Sequence, residues 1–219
     1  MSTEDPIVYL ARHGDTAWTI SGQHTGRVDL PLVPQGEQEA LCLGERLRGM
    51  QFTKVFCSPL KRVIRSCELA GFGSVAEIDP DLMEWDYGNY ESLRLEEIWK
   101  VRPGWEIFRD GCPGGETAAQ VGERADRVIT RVRPIGGTVL LFSSGHFLRV
   151  LAARWLGLEA SAGCYLVLST ASLSAVGYEH NLSSLPVIRL WNDHHHVAPI
   201  AGEAKQVSDS ARQAAGAGQ

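Results

Sequence analysis

Two kinds of hydrophobic run alternate along the chain. Residues 6–12, 54–58 and 138–144 are short apolar stretches that turn polar only at their C-terminal ends. Such runs read as strands buried on both faces of a sheet. Between them lie longer segments with helical spacing. Residues 35–50 place Ala40, Leu41, Leu43, Leu47 and Met50 on one stripe. A second helix is predicted after residue 58, with Pro59 in its first turn and Gly71 as its stop. Further helices are predicted over 116–132 and 146–156, and two late strands over 172–179 and 186–191 are expected to pair antiparallel. Residues 15–34 read as a polar loop. Residues 78–115 are irregular and rich in Trp, Gly and Pro, with one helix near 93–100 and an expected place over one end of the sheet.

Alternating strands and helices predict an α/β protein: layers around a largely parallel central sheet. Ligands of such sheets bind beyond the carboxyl ends of the strands. Arg12 with His13, Ser58 with nearby Arg62, and Ser144 with Gly145 and His146 all fall at such ends. Three distant segments are therefore expected to meet at one site.

Composition narrows the reading. The 219 residues suit one domain, predicted over 1–201, with an Ala-, Gly-, Gln- and Ser-rich tail over 202–219 expected to be mobile. No apolar stretch reaches the ~20 residues of a bilayer span. The acidic start lacks the features of a secretory signal, so the cytoplasm is the expected compartment. Five scattered cysteines without a CxxC pair predict reduced thiols and neither disulfides nor zinc. A formal net charge of -5 gives no footprint for nucleic acid. It also means that an anion site must be built locally, from clustered arginines. Oligomeric state is not legible, and a homo-oligomer stays open.

His13 alone would read as a loop histidine, but its neighbours change that. A neutral imidazole is a nucleophile when one nitrogen donates to a fixed acceptor and the other faces the electrophile. A phosphoryl group needs cationic forked donors around it, and Arg12 and Arg62 can supply them. Helix N-termini at the strand ends add positive character. Departure of an alkoxide requires an acid. Glu84, among bulky apolar neighbours, is the candidate, with burial expected to keep it protonated.

The stretch from Leu10 to Thr16, containing Arg12-His13-Gly14, resembles the histidine phosphatase superfamily, also called phosphoglycerate mutase-like. The resemblance continues, in the family's order, through Ser21 to Leu32 and Gly36, Cys57 to Arg62, Glu84 to Gly88, Gly114 to Thr117, and Gly145 to Arg149. It implies a three-layer α/β/α sandwich and His13 as the phosphorylated nucleophile. Arg12 and Arg62 would clamp the phosphate, and Glu84 would be proton donor and base. Thr19, Gln23, Thr25 and Gly26 would lie toward a small phosphate ester substrate. No metal or cofactor is implied.

Two positions depart from the family pattern. Thr19 stands where the family usually has Asn. Ser144 stands where the family has its second catalytic histidine, with Gly145 and Arg149 fixing the register. A phosphate donor through Ser144 and His146 is the expected replacement, at a cost of ~3 kcal/mol in transition-state binding. The short segment over 90–113 favours a phosphatase over a mutase. The Glu84 and Gly114 blocks resemble phosphatases of the sedoheptulose-bisphosphatase kind and mycobacterial acid phosphatases. The alternatives are a phosphoglycerate mutase and a weakened or non-catalytic phosphate binder. His194, His195 and His196 read as a strand-end loop, and Trp85, Trp99, Trp105 and Trp155 as core or lid packing.

Overall fold

The described residues form six strands: β1 (Ile7–Arg12), β2 (Lys54–Cys57), β3 (Ala76–Ile78), β4 (Thr138–Ser143), β5 (Leu173–Tyr178) and β6 (Pro186–Asp193). In a computed structural model describing residues 5–182 and 184–197, they make one sheet in the order β3-β2-β4-β1-β5-β6. The first four of these positions are mutually parallel; β5 joins β1 antiparallel, and β6 pairs antiparallel with β5. The fold is thus a mixed α/β fold with a mostly parallel central sheet. The predicted tail over 202–219 lies outside the described residues.

Alternation along the strands explains the two cores. Val8, Leu10, Val139 and Leu141 point to one face, where they meet α6 (Ala118–Val132) and α7 (Gly145–Trp155). Ala11, Leu140 and Phe142 point to the other, against α2 (Pro34–Leu47) and α3 (Lys61–Leu69). Helices on both faces complete the three layers.

Several boundaries differ from the sequence reading, each for a local reason. The predicted loop over 15–34 holds a short helix, α1 (Ala17–Ser21), closed by a reciprocal Thr16–Thr19 capping box. Five residues are too few to show periodicity. Pro59 lies ahead of α3 and not in its first turn, because Leu60 is the N-cap. The third strand, an edge strand of three residues, was too short to read. The irregular segment contains α4 (Leu95–Val101), as predicted, and α5 (Ile107–Asp110). Ser144 is not the last residue of β4 but the N-cap of α7.

The central strands fix the site. Arg12 is level with Ser143 in the β1–β4 register. The His13 amide donates to the Ser143 carbonyl at 3.2 Å, and the Ser58 amide to the Phe142 carbonyl at 3.0 Å. The carboxyl ends of β1, β2 and β4 are therefore stitched side by side.

Candidate active site

A cavity of about 250 Å³ opens above these strand ends. Arg12, His13, Thr19, Gln23, Thr25, Glu84, Gly145 and His146 line it, all of them singled out by the sequence.

His13 is almost fully buried. Its Nδ1 lies 2.7 Å from the Gly14 carbonyl. A carbonyl can only accept, so Nδ1 carries the proton and Nε2 carries the lone pair. Burial, then the nearby Arg62 and Arg12 charges, push the imidazole well below the usual histidine range. The ring is thus neutral and nucleophilic at ordinary pH. The turn holding it is tight. The Gly14 amide donates to Ser66 Oγ at 3.1 Å, and Ser66 Oγ donates to the Arg62 carbonyl at 2.8 Å. A Cβ on Gly14 would stand 2.1 Å from the Gly36 carbonyl oxygen, so only glycine fits.

Two arginines flank this ring with no carboxylate partner in any ion pair among the described residues. Arg12 anchors one guanidinium nitrogen on the Leu168 carbonyl and leaves Nε buried without a partner. Gly145 makes room for it, since a Cβ there would lie 3.1 Å from the guanidinium carbon. Arg62 is fully buried and does not reach the cavity wall. Its terminal nitrogens donate to the carbonyls of Val28 (3.0 Å), Thr25 (3.0 Å) and Gly26 (2.9 Å). This corrects the expectation of a two-pronged phosphate clamp: both prongs hold backbone, and Nε alone is unpartnered. Burial lowers the proton affinity of both guanidiniums, yet arginine remains charged.

Glu84 is 5% exposed. Its carboxylate accepts the amides of Trp85 (2.8 Å), Phe147 (2.8 Å) and His146 (3.1 Å), so it sits on the N-terminus of α7. The sequence reading invoked burial alone. The amides can only donate, so a proton on Glu84 must share an oxygen with one of them.

Three further positions behave differently from expectation. Ser144 is fully buried, its Oγ has no partner, and it is not on the cavity wall. The phosphate donor expected at this position therefore does not face the cavity. Gly26 lies off the wall as well. It supports the site, donating its amide to Glu91 Oε1 at 2.7 Å and accepting from Arg62 at its carbonyl. Thr19 lines the cavity, but its hydroxyl is committed to Asp15 at 2.9 Å and to the capping box. Gln23 is likewise tied to Ser92 and Ser21.

His146 does reach the wall. Its Nδ1 is 2.5 Å from the Tyr87 hydroxyl, and its ring packs edge-on against Trp85, Tyr87 and Phe108. Burial, then Arg149, His24 and Arg12, keep it well below the usual histidine range. The same burial raises the Tyr87 hydroxyl well above the tyrosine range. The wall is completed by Trp18, Gly22, His24, Tyr87, Arg149 and Leu168, to which the sequence reading gave no role. His24 and Tyr87 lay inside blocks already quoted, but nothing in their spacing marked them. Among the described residues, no group of three His, Cys, Asp or Glu side chains is placed to hold a metal ion.

Residues 8–194 match the model of the histidine phosphatase superfamily, branch 1. The chain belongs to that superfamily. It is 36% identical over 205 residues to an acid phosphatase of Mycobacterium tuberculosis, covering 92% of this chain and 99% of the relative. It is 32% identical over 229 residues to a sedoheptulose 1,7-bisphosphatase of Saccharomyces cerevisiae, covering 90% and 83%. Salmonella relatives named probable phosphoglycerate mutase are 32% identical over 212 residues, covering 91% and 99%. A solved structure of a Mycobacterium tuberculosis open reading frame superimposes with a TM-score of 0.80 at 34% identity, covering 86% of this chain and 98% of that one. Family and phosphatase-named relatives together support an enzyme of the histidine phosphatase kind.

Proposed function

We propose that the chain is a phosphoric monoester hydrolase acting on small phosphorylated metabolites through a phosphohistidine on His13. The observation that carries this reading is the state of His13: Nδ1 fixed on Gly14, Nε2 unprotonated, and two arginines beside it with unpartnered Nε atoms. Those atoms are buried donors awaiting an acceptor, and an unmade hydrogen bond there is costly. A phosphoryl oxygen in the cavity fits that of Arg12, which lines the wall, while Arg62 adds its charge from behind the wall.

In the first step His13 Nε2 attacks phosphorus, the bond from phosphorus to the ester oxygen breaks, and Glu84 protonates the departing oxygen. In the second, water attacks the phosphohistidine while Glu84 takes its proton, releasing phosphate and restoring His13. Arg12, the charge of the buried Arg62 behind the wall and the amino end of α7 offset the charge on the equatorial oxygens, the task that a metal ion performs elsewhere. The proposed enzyme therefore works without metal. Phosphate release in the presence of a chelator, compared between the natural chain and His13→Ala, tests both points. Turnover that needs a divalent ion, or that survives loss of His13, would overturn the reading.

Ser144 supports a second reading. With its hydroxyl off the cavity wall, one phosphoryl donor of the family pattern is missing, so a slow enzyme or a phosphate binder is the alternative. A mutase differs from both in needing a phosphorylated primer and returning little free phosphate.

A further inference from the structure

The nucleophile, Arg12 and Glu84 account for only part of the cavity lining. Its remaining wall holds two imidazoles on either side of one phenol. The Tyr87 ring centroid lies 5.0 Å from that of His24 and 5.8 Å from that of His146, both edge-on. His24 comes from the loop after α1, and His146 from the first turn of α7.

Each ring has one nitrogen committed. His24 Nδ1 lies 2.8 Å from the Leu93 carbonyl, an obligate acceptor, so Nδ1 holds the proton and a neutral ring has its lone pair at Nε2. His146 Nδ1 meets the Tyr87 hydroxyl. That hydroxyl has no other hydrogen-bond partner among the described residues, and a phenol donates to imidazole nitrogen, which places the His146 proton on Nε2. Neither Nε2 has a protein partner among the described residues, and both residues line the cavity. With a neutral His24 ring, one wall thus presents an acceptor and a donor.

The His146 amide also donates to Glu84 Oε2 at 3.1 Å. His146 is therefore tied through its backbone to the acid that serves the departing oxygen, and both residues line the cavity. Arg149, the other cation on this wall, is largely spent: Nε and one terminal nitrogen hold the Gly163 and Cys164 carbonyls, and the guanidinium lies 4.5 Å over Phe108.

We propose that this wall is a hydroxyl-reading subsite, in which His24 Nε2 accepts from and His146 Nε2–H donates to hydroxyls on the leaving group. An aliphatic hydroxyl both donates and accepts, so a polyol or sugar phosphate matches the pair and a plain alkyl phosphate leaves both nitrogens unpaired. Tyr87 is a positioning residue that fixes the His146 tautomer. The inference rests on the phosphatase reading and sharpens its substrate class.

The test compares ribitol 5-phosphate with n-pentyl phosphate, the same five carbons with and without hydroxyls, using p-nitrophenyl phosphate as a separate check of turnover. The expected kcat/KM ratio of polyol to alkyl ester is about tenfold or more. His24→Asn and His146→Asn keep a polar group where each Nδ1 stands and delete Nε2; each should cut the ratio several-fold. Tyr87→Phe should cut it too, and the ¹⁵N signals of His146 should then report mixed tautomers. An unchanged ratio in both Asn variants overturns the inference. If p-nitrophenyl phosphate is not hydrolysed at all, the phosphatase reading falls. The two esters are then compared by calorimetry, where tighter polyol binding supports the subsite and equal affinities overturn it.

Discussion

Glu84 Oε1 accepts the backbone amide of Phe147 at 2.8 Å, which makes the proposed acid also the lid on the first turn of α7. Catalysis and helix capping therefore fall on one side chain. Glu84→Gln keeps an acceptor oxygen but turns an amide toward donors. Its expected cost in stability is about 1 kcal/mol. Its expected cost in turnover is larger, about 10²–10⁴-fold on a sugar phosphate. The loss should shrink on p-nitrophenyl phosphate, whose leaving group needs little protonation. Steady-state kinetics on the two esters separate these effects.

Ser144 offers a sharp contrast. Its hydroxyl is buried, unpartnered and off the cavity wall. Ser144→Ala should leave turnover close to the natural level and raise stability by about 1 kcal/mol, because an unpaired buried hydroxyl disappears. Ser144→His restores a side chain long enough to reach the phosphoryl group, and should raise kcat by about 10²-fold. Thermal melts and phosphate release on both variants check this.

The turn around His13 is expected to tolerate no side chain at residue 14. Gly14→Ala drives a Cβ against the Gly36 carbonyl, a backbone atom that cannot step aside. A loss of about 1–3 kcal/mol in stability should accompany a collapse of activity, measured by denaturant unfolding and by turnover.

Stability should fall on the acid side. His13 and His146 both lie well below the usual histidine range, chiefly through burial. Below about pH 6.5 the unfolded chain takes up protons at these positions while the folded chain does not, so lowering the pH favours unfolding. The slope is at most about 1.4 kcal/mol per pH unit for each histidine. The double variant His13→Asn/His146→Asn should flatten the curve between pH 7 and 5 in denaturant titrations.

The sheet was legible because its central strands are apolar on both faces, and Val139 to Phe142 cannot be anything else. The nucleophile and its arginines were legible for a related reason: polar residues at the ends of apolar runs stand out. What stayed hidden was side-chain reach. Nothing in the sequence says that Arg62 spends two of its nitrogens on the Thr25, Gly26 and Val28 carbonyls, or that Ser144 stops short of the cavity. Spacing places a residue at a strand end, and only packing decides which way its polar atoms turn. His24 and Tyr87 are unmarked for the same reason: Tyr87 meets His24 from 63 residues further along the chain and His146 from 59 residues before it.

The most direct test of the central claim is a search for phosphate bound covalently to His13. The natural chain is mixed with a phosphate ester and quenched within milliseconds in alkali, where phosphohistidine survives. Peptide mapping then locates the modification. Label on His13, absent from His13→Ala and lost on brief acid treatment, is the expected result. Phosphate release without any label on His13, even when Glu84→Gln slows the second step, would contradict the account.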